Sequence, residues 1–108
     1  MIFNKIEYLR LSVNNLEEFV KLIKLYENVF EMEPFPYPSH GYLEKILKNE
    51  NIYYCSCQYY EEEIIAGLTA HQLASTYFEA NEVYVYGLAV HQDFQRKGIG
   101  TRLMDELK

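Results

Sequence analysis

The sequence is poor in metal-binding residue types and lacks long apolar runs. It has two cysteines and three histidines, and His40, His71 and His91 do not have metal-ligand spacing. No apolar run approaches the ~18 residues of a membrane span, and the N-terminus lacks a signal-peptide pattern. Cys55 and Cys57 would point the same way on one strand, too far apart for an unstrained disulfide. We therefore expect no metal, no membrane contact and a reduced, cytoplasmic protein.

Basic residues are also few. Ten Lys and Arg stand against sixteen Asp and Glu, and the resulting formal charge of −6 argues against a nucleic-acid partner. The same charge suits a cationic substrate. At 108 residues the chain is one domain, residues 1–108, large enough for one core, and it contains no internal repeat, low-complexity segment or linker.

Periodicity and turn residues predict an α/β (α+β layered) domain. The Pro-rich stretch at 34–38 excludes regular helix and favours an extended loop. The hairpin is expected to turn at Glu61, Glu62 and Glu63. The predicted elements are a strand at 6–11, a helix from 16 to about 31, a short helix through 42–47, strands at 52–60, 64–73 and 82–90, and a helix from residue 99.

Local signals add detail to this outline. Asn14 or Asn15 is a candidate N-cap for the first helix, and Ser39 for the short one. Gly67, inside a predicted strand, indicates a bulge or a close approach. The apolar face expected of the first helix consists of Leu16, Phe19, Val20, Ile23, Tyr26 and Phe30.

The stretch at 82–108 organises the chain. Residues 83–90 are mostly β-branched, aromatic or aliphatic, which predicts a strand buried on both faces. Gly98 and Gly100 then let the backbone approach a ligand closely. Helical spacing of apolar residues begins at Ile99, between the two glycines. Arg96 and Lys97 add positive charge, so the turn is typical of a phosphate-binding loop. Its spacing fits neither a Walker loop nor a dinucleotide-binding fingerprint.

The string Gln95-Arg96-Lys97-Gly98-Ile99-Gly100, preceded by Leu88-Ala89-Val90, resembles the pyrophosphate loop of the GNAT superfamily of acyl-CoA-dependent N-acetyltransferases. Residues 38–47, 64–73 and 82–104 look most like the aminoglycoside 3-N-acetyltransferases. That subfamily tends to carry an acid directly before Leu-Ala-Val, where this chain has Gly87. The resemblance implies a GNAT-type, mostly antiparallel sheet flanked by helices, and transfer of acetyl from acetyl-CoA to an amine of a small cationic molecule.

The resemblance also implies roles for individual residues. The backbone N–H of Leu88 would stabilise the oxyanion, and Leu88, Ala89 and Val90 would form the wall that pairs with pantetheine. The pyrophosphate would be held by Gln95, Arg96, Lys97, Gly98, Ile99, Gly100 and Thr101.

Acceptor-side candidates are less specific. Strand alternation would place Glu82, Tyr84, Tyr86 and Leu88 on one face. The superfamily's glutamate position aligns with Tyr84, which makes Glu82 the nearest same-face carboxylate and the candidate general base. A solvated glutamate and packing tyrosines are the structural alternatives. Glu31, Glu33 and Tyr37 are candidates for shaping the acceptor pocket, against a solvated loop as the alternative.

The superfamily pattern continues beyond residue 108, with further strands and a tyrosine general acid. We therefore expect a fragment of a longer enzyme, poorly active alone, whose strand at 82–90 is an exposed edge able to pair with a second copy. Two alternatives remain open: a non-catalytic acyl-CoA-binding or interaction module, and a protein N-acetyltransferase.

Overall fold

The computed structural model describes residues 6–59 and 63–107 and confirms the predicted α/β class. The expected hairpin turn falls largely on residues 60–62, outside the described residues, as does Lys108. Two short 3-10 turns, Val13–Asn15 and Gln92–Phe94, join longer elements. These are β1 (Ile6–Arg10), α1 (Leu16–Val29), α2 (His40–Leu47), β2 (Ile52–Tyr59), β3 (Glu63–Ala74), β4 (Asn81–Val90) and α3 (Ile99–Asp105).

The four strands form one antiparallel sheet in the order β1-β2-β3-β4, so β4 is an edge of the described sheet. Two register shifts interrupt it. One lies in β2 between Cys57 and Gln58. The other lies in the β3–β4 pair, where Thr69 faces Gly87 and Ala70 faces Val85. Tyr86 is therefore an extra residue in β4, which is the definition of a β-bulge.

Helices cover both sides of the sheet. On one side, α1 and α2 enclose a core that contains Phe19, Leu22, Leu25, Leu43 and Tyr54. On the other side, α3 packs on a second core built from Cys55, Cys57, Leu68, Ala70, Ile99 and Leu103. Cys55 and Cys57 lie on the same face as buried free thiols, as the sequence predicts.

The first helix differs from the expectation in two ways. Its buried residues are Phe19, Leu22 and Leu25, so the predicted apolar face omitted two core leucines. Asn15 is the N-cap residue of α1, as predicted, but its side chain makes no capping hydrogen bond to that helix. The side chain of Asn15 accepts a hydrogen bond from the backbone N–H of Ser12, 3.0 Å away, and so closes a capping box on the preceding 3-10 turn. Ser39 does cap α2, accepting from the N–H of Tyr42 at 3.2 Å.

The prediction for β4 was wrong about burial. Val83, Tyr84, Val85 and Tyr86 are 41–66% exposed, because β4 is an edge of the described sheet and neither α1 nor α3 covers its first half. Only the end of the strand is enclosed, at Ala89. Within the described part of the chain, no helix is long and apolar enough to cross a membrane.

Candidate functional site

The loop between β4 and α3 is held in a defined shape by its own residues. The side-chain amide of Gln95 donates to the carbonyl of Val90, the last residue of β4, at 3.0 Å. Arg96 and Gly98 both have positive φ, 63° and 84°. Such left-handed residues turn backbone N–H groups to one side and form a concavity suited to anions.

Space above this loop is open. A Cβ atom added to Gly98 or Gly100 would meet no other atom within 4 Å. Ile99, between them, is buried and anchors the loop to the α3 core, whereas Arg96 and Lys97 are exposed. The loop therefore combines a fixed backbone, positive charge and room for a ligand. These properties fit the pyrophosphate of an acyl-CoA.

The bulge at Tyr86 decides which side chains of β4 share a face. Cross-strand partners lie on the same face, so Leu88, paired with Leu68, faces the α3 core. Tyr86 instead contacts the ring of His71, with centroids 4.1 Å apart, on the α1 side of the sheet. The prediction that Leu88 shares a face with Glu82, Tyr84 and Tyr86 was therefore wrong, because the extra residue shifts the alternation by one.

A groove of about 380 Å³ lies on the α1 side and ends at β4. Its floor includes Thr69, Tyr86 and Gly87, and its walls come from α1, α2 and the loop between them. The hydroxyl of Tyr26 is 2.8 Å from that of Thr69. Burial raises the pKa of Tyr26 and raises that of Tyr54, another groove residue, to about 12. The groove is an apolar surface beside the strand, with the Tyr26 and Tyr54 hydroxyls partly withdrawn from water.

Glu82 and Tyr84 form a separate polar pair near the start of β4. The Tyr84 hydroxyl donates to the Glu82 carboxylate at 2.8 Å, and this bond raises the pKa of Tyr84. Glu82 pairs with Leu73 and Leu88 with Leu68, so they lie five β3 residues apart, about 17 Å along the strand. The carboxylate is therefore remote from the backbone N–H of Leu88.

The loop between α1 and α2 contributes to the groove with residues other than those expected. Met32, Phe35 and Pro38 line it, whereas Glu33 and Tyr37 do not. The Tyr37 hydroxyl donates to the carboxylate of Glu27 on α1 at 2.7 Å and so fastens the loop to the helix.

Sequence reasoning missed Tyr26 and Thr69 as groove residues. Tyr26 has the spacing of a core position on α1, and nothing in the local pattern distinguishes Thr69 from its strand neighbours. The groove depends on contacts between α1 and β3, which are distant in the chain.

Comparisons with known proteins agree on one family. A model of the acetyltransferase (GNAT) family matches residues 16–108. A solved aminoglycoside acetyltransferase, meta-AAC0020 from an uncultured soil metagenomic sample, is 38% identical with a TM-score of 0.92, over 99% of this chain and 70% of its own. A second soil enzyme, HMB0005, is 28% identical with a TM-score of 0.88, over 94% and 68%. Ribosomal-protein-alanine N-acetyltransferase from Brucella melitensis biovar Abortus 2308, 20% identical with a TM-score of 0.76 over 94% and 68%, shares the fold. A search of curated proteins finds no match.

Proposed function

Because this chain belongs to the acetyltransferase (GNAT) family and is an N-acetyltransferase, we propose that it transfers acetyl from acetyl-CoA to an amine of an aminoglycoside. The loop at residues 95–100 carries this proposal. Its backbone is left-handed at Arg96 and Gly98, and the space above Gly98 and Gly100 is open. The 38% identity to an enzyme that has been crystallised with sisomicin supports the acceptor class.

The chain's own groups account for the two halves of the reaction. The loop holds the pyrophosphate through backbone N–H groups, with Arg96, Lys97 and Thr101 beside it. The edge of β4 at Leu88, Ala89 and Val90 offers backbone groups to pantetheine. There the N–H of Leu88 stabilises the oxyanion that forms when the amine attacks the thioester.

Glu82 has two possible roles under this proposal, which kinetics separates. If it removes the proton from the amine, Glu82→Gln lowers kcat. Its distance from Leu88 favours the second role, in which Glu82 and Tyr84 bind another ammonium group of a polycationic acceptor and the substitution raises KM instead. Glu33, Tyr37 and Tyr86 remain proposed acceptor contacts, Tyr86 from the groove floor.

The first test is a calorimetric titration with acetyl-CoA. We expect binding to weaken at least ~10-fold in Gly98→Ala, because an L side chain strains the φ of 84°. Gly41→Ala is the matched control, since Gly41 lies on the exposed surface of α2, away from the loop. Absence of acetyl-CoA binding by the folded chain would contradict the proposal. Thiol release with sisomicin as acceptor then tests catalysis and separates an enzyme from a non-catalytic acyl-CoA-binding module.

Two further points belong to the proposal. A cytoplasmic location is supported by the free thiols of Cys55 and Cys57, since disulfides mark oxidising compartments.

A homodimer through β4 is supported by the position of this strand at an edge of the described sheet, where backbone groups can pair with another strand.

A further inference from the structure

The groove beside β4 offers a large apolar surface, most of which a polyhydroxylated aminoglycoside would leave unused. Aromatic rings dominate its surface, and its volume of about 380 Å³ lies in the ~300–1,000 Å³ range of small-molecule sites. None of its lining side chains, within the described residues, is charged. The rings are contributed by Phe19, Tyr26, Phe30, Phe35, Tyr54 and Tyr86.

The groove has few polar groups, and two of them are engaged with each other. The hydroxyls of Tyr26 and Thr69 are 2.8 Å apart and hydrogen-bond to each other. A polyhydroxylated ligand would lose its hydrogen bonds to water here and find few replacements, which is costly. An aromatic or branched aliphatic group would instead gain by leaving water. An ammonium group over the rings is attracted to their faces.

The groove also ends where the reaction takes place. Gly87 lines it and directly precedes Leu88, the proposed oxyanion donor. At Gly87 there is no side chain between the groove and the strand, and the nearest ring, Tyr26, approaches the Cβ position to 3.5 Å. A molecule with its apolar body among the rings can thus extend an amine past Gly87 toward the thioester.

We propose that the groove binds the apolar body of a monoamine, such as an arylalkylamine, and that the enzyme N-acetylates this class as a second kind of acceptor. The inference rests on the proposed function, because it takes the reacting carbonyl to lie at Leu88. The amine nitrogen forms a bond to the acetyl carbon and the carbon–sulfur bond breaks. An ammonium substrate and acetyl-CoA yield the N-acetyl amide, CoA thiol and one proton.

The test is a titration of the 108-residue chain with phenethylamine and with ethanolamine as an amine that lacks the apolar body. We expect phenethylamine to bind at least ~10-fold more tightly, equivalent to ~1.4 kcal/mol. Phe30, stacked on Tyr26 at 5.5 Å and 47% exposed, can be replaced without emptying the core. Phe30→Ser should abolish the preference. Phe78→Ser is the matched control, since Phe78 is 74% exposed and does not line the groove.

Equal affinities for the two amines, undetectable binding of both, or an unchanged preference in Phe30→Ser would each overturn the inference. The titration uses no donor, so its result is independent of acetyl-CoA binding. A chain that binds acetyl-CoA and sisomicin but shows no preference for phenethylamine would leave the proposed function intact and refute the inference alone. With acetyl-CoA present, formation of N-acetylphenethylamine, detected by mass spectrometry, is the expected catalytic result.

Discussion

Gly67 is the position at which the structure predicts the largest effect of adding one carbon atom. A Cβ there would lie 2.0 Å from Cδ1 of Leu22, 3.2 Å from its Cγ and 3.3 Å from the carbonyl oxygen of Cys55. Leu22 is fully buried at the centre of α1 and belongs to the core between that helix and the sheet. The second close neighbour is a backbone atom of β2, which cannot change rotamer to make room. The methyl group can therefore be accommodated only if the Leu22 side chain or α1 itself shifts.

The magnitude follows from opposing contributions. Overpacking a core costs about 1–3 kcal/mol of unfolding free energy. Replacing glycine also restricts the unfolded chain, which returns about 0.4–1 kcal/mol. We expect Gly67→Ala to lower the free energy of unfolding by ~1–2 kcal/mol. For a domain of this size, each kcal/mol shifts Tm by roughly 4–8 °C.

The assay is urea unfolding followed by circular dichroism, with Gly87→Ala as the matched glycine control. At Gly87 the nearest atoms to an added Cβ belong to Tyr26, at 3.5–3.8 Å, which is ordinary contact, so stability should change little. Leu22→Ala alone should cost ~2–5 kcal/mol. Combined with Gly67→Ala it should cost less than the sum, because the truncated side chain makes room for the new methyl group. Strict additivity, or a Gly67→Ala variant as stable as Gly87→Ala, would refute the steric argument.

Three further predictions concern stability, pH and the loop. Ser56→Ala should raise the free energy of unfolding by up to ~1 kcal/mol, because the buried Ser56 hydroxyl has no hydrogen-bond partner among the described residues; a loss in urea unfolding would contradict this. Burial raises the pKa of Cys57 from 9.0 to about 11 and that of Tyr54 from 10.0 to about 12. The contribution of these two neutral groups to the free energy of unfolding is therefore complete below pH 9 and is lost as pH rises through the folded-state pKa values. Thermal melts should show a falling Tm above pH 9, and a constant Tm from pH 9 to 11 would contradict this prediction. Gln95→Ala should weaken acetyl-CoA binding several-fold in calorimetry, because the loop loses its bond to Val90; an unchanged affinity would show that the bond does not organise the loop.

Much of the fold could be predicted because its signals are local. The Ser39 cap, the start of α3 at Ile99 and the strand pattern of β2 and β3 are each encoded within a few neighbouring residues. Gly67 indicated a close approach in advance, although only the structure identifies Leu22 as the partner.

What could not be predicted depends on contacts between distant segments. Alternation along β4 placed Leu88 beside Tyr86, but a bulge set by pairing with β3 separates them. Tyr26 looked like an ordinary core position, because its role in the groove depends on Thr69, which is 43 residues away in the chain. Family resemblance indicated the loop at residues 95–100, whereas the groove beside β4 carries no short motif and could only be found in three dimensions.

The extra residue at Tyr86 has a consequence for how this domain can change. Before the bulge, Glu82 and Tyr84 project toward the α1 side, and after it Leu88 projects toward α3. The single strand is thereby divided into two segments of opposite phase, joined at Gly87. Under the proposed function, mutations in the first segment can vary acceptor recognition, while the second segment keeps the donor side constant. On that proposal, substitutions on the first half of β4 can change the substrate range without disturbing the half that is proposed to contact acetyl-CoA.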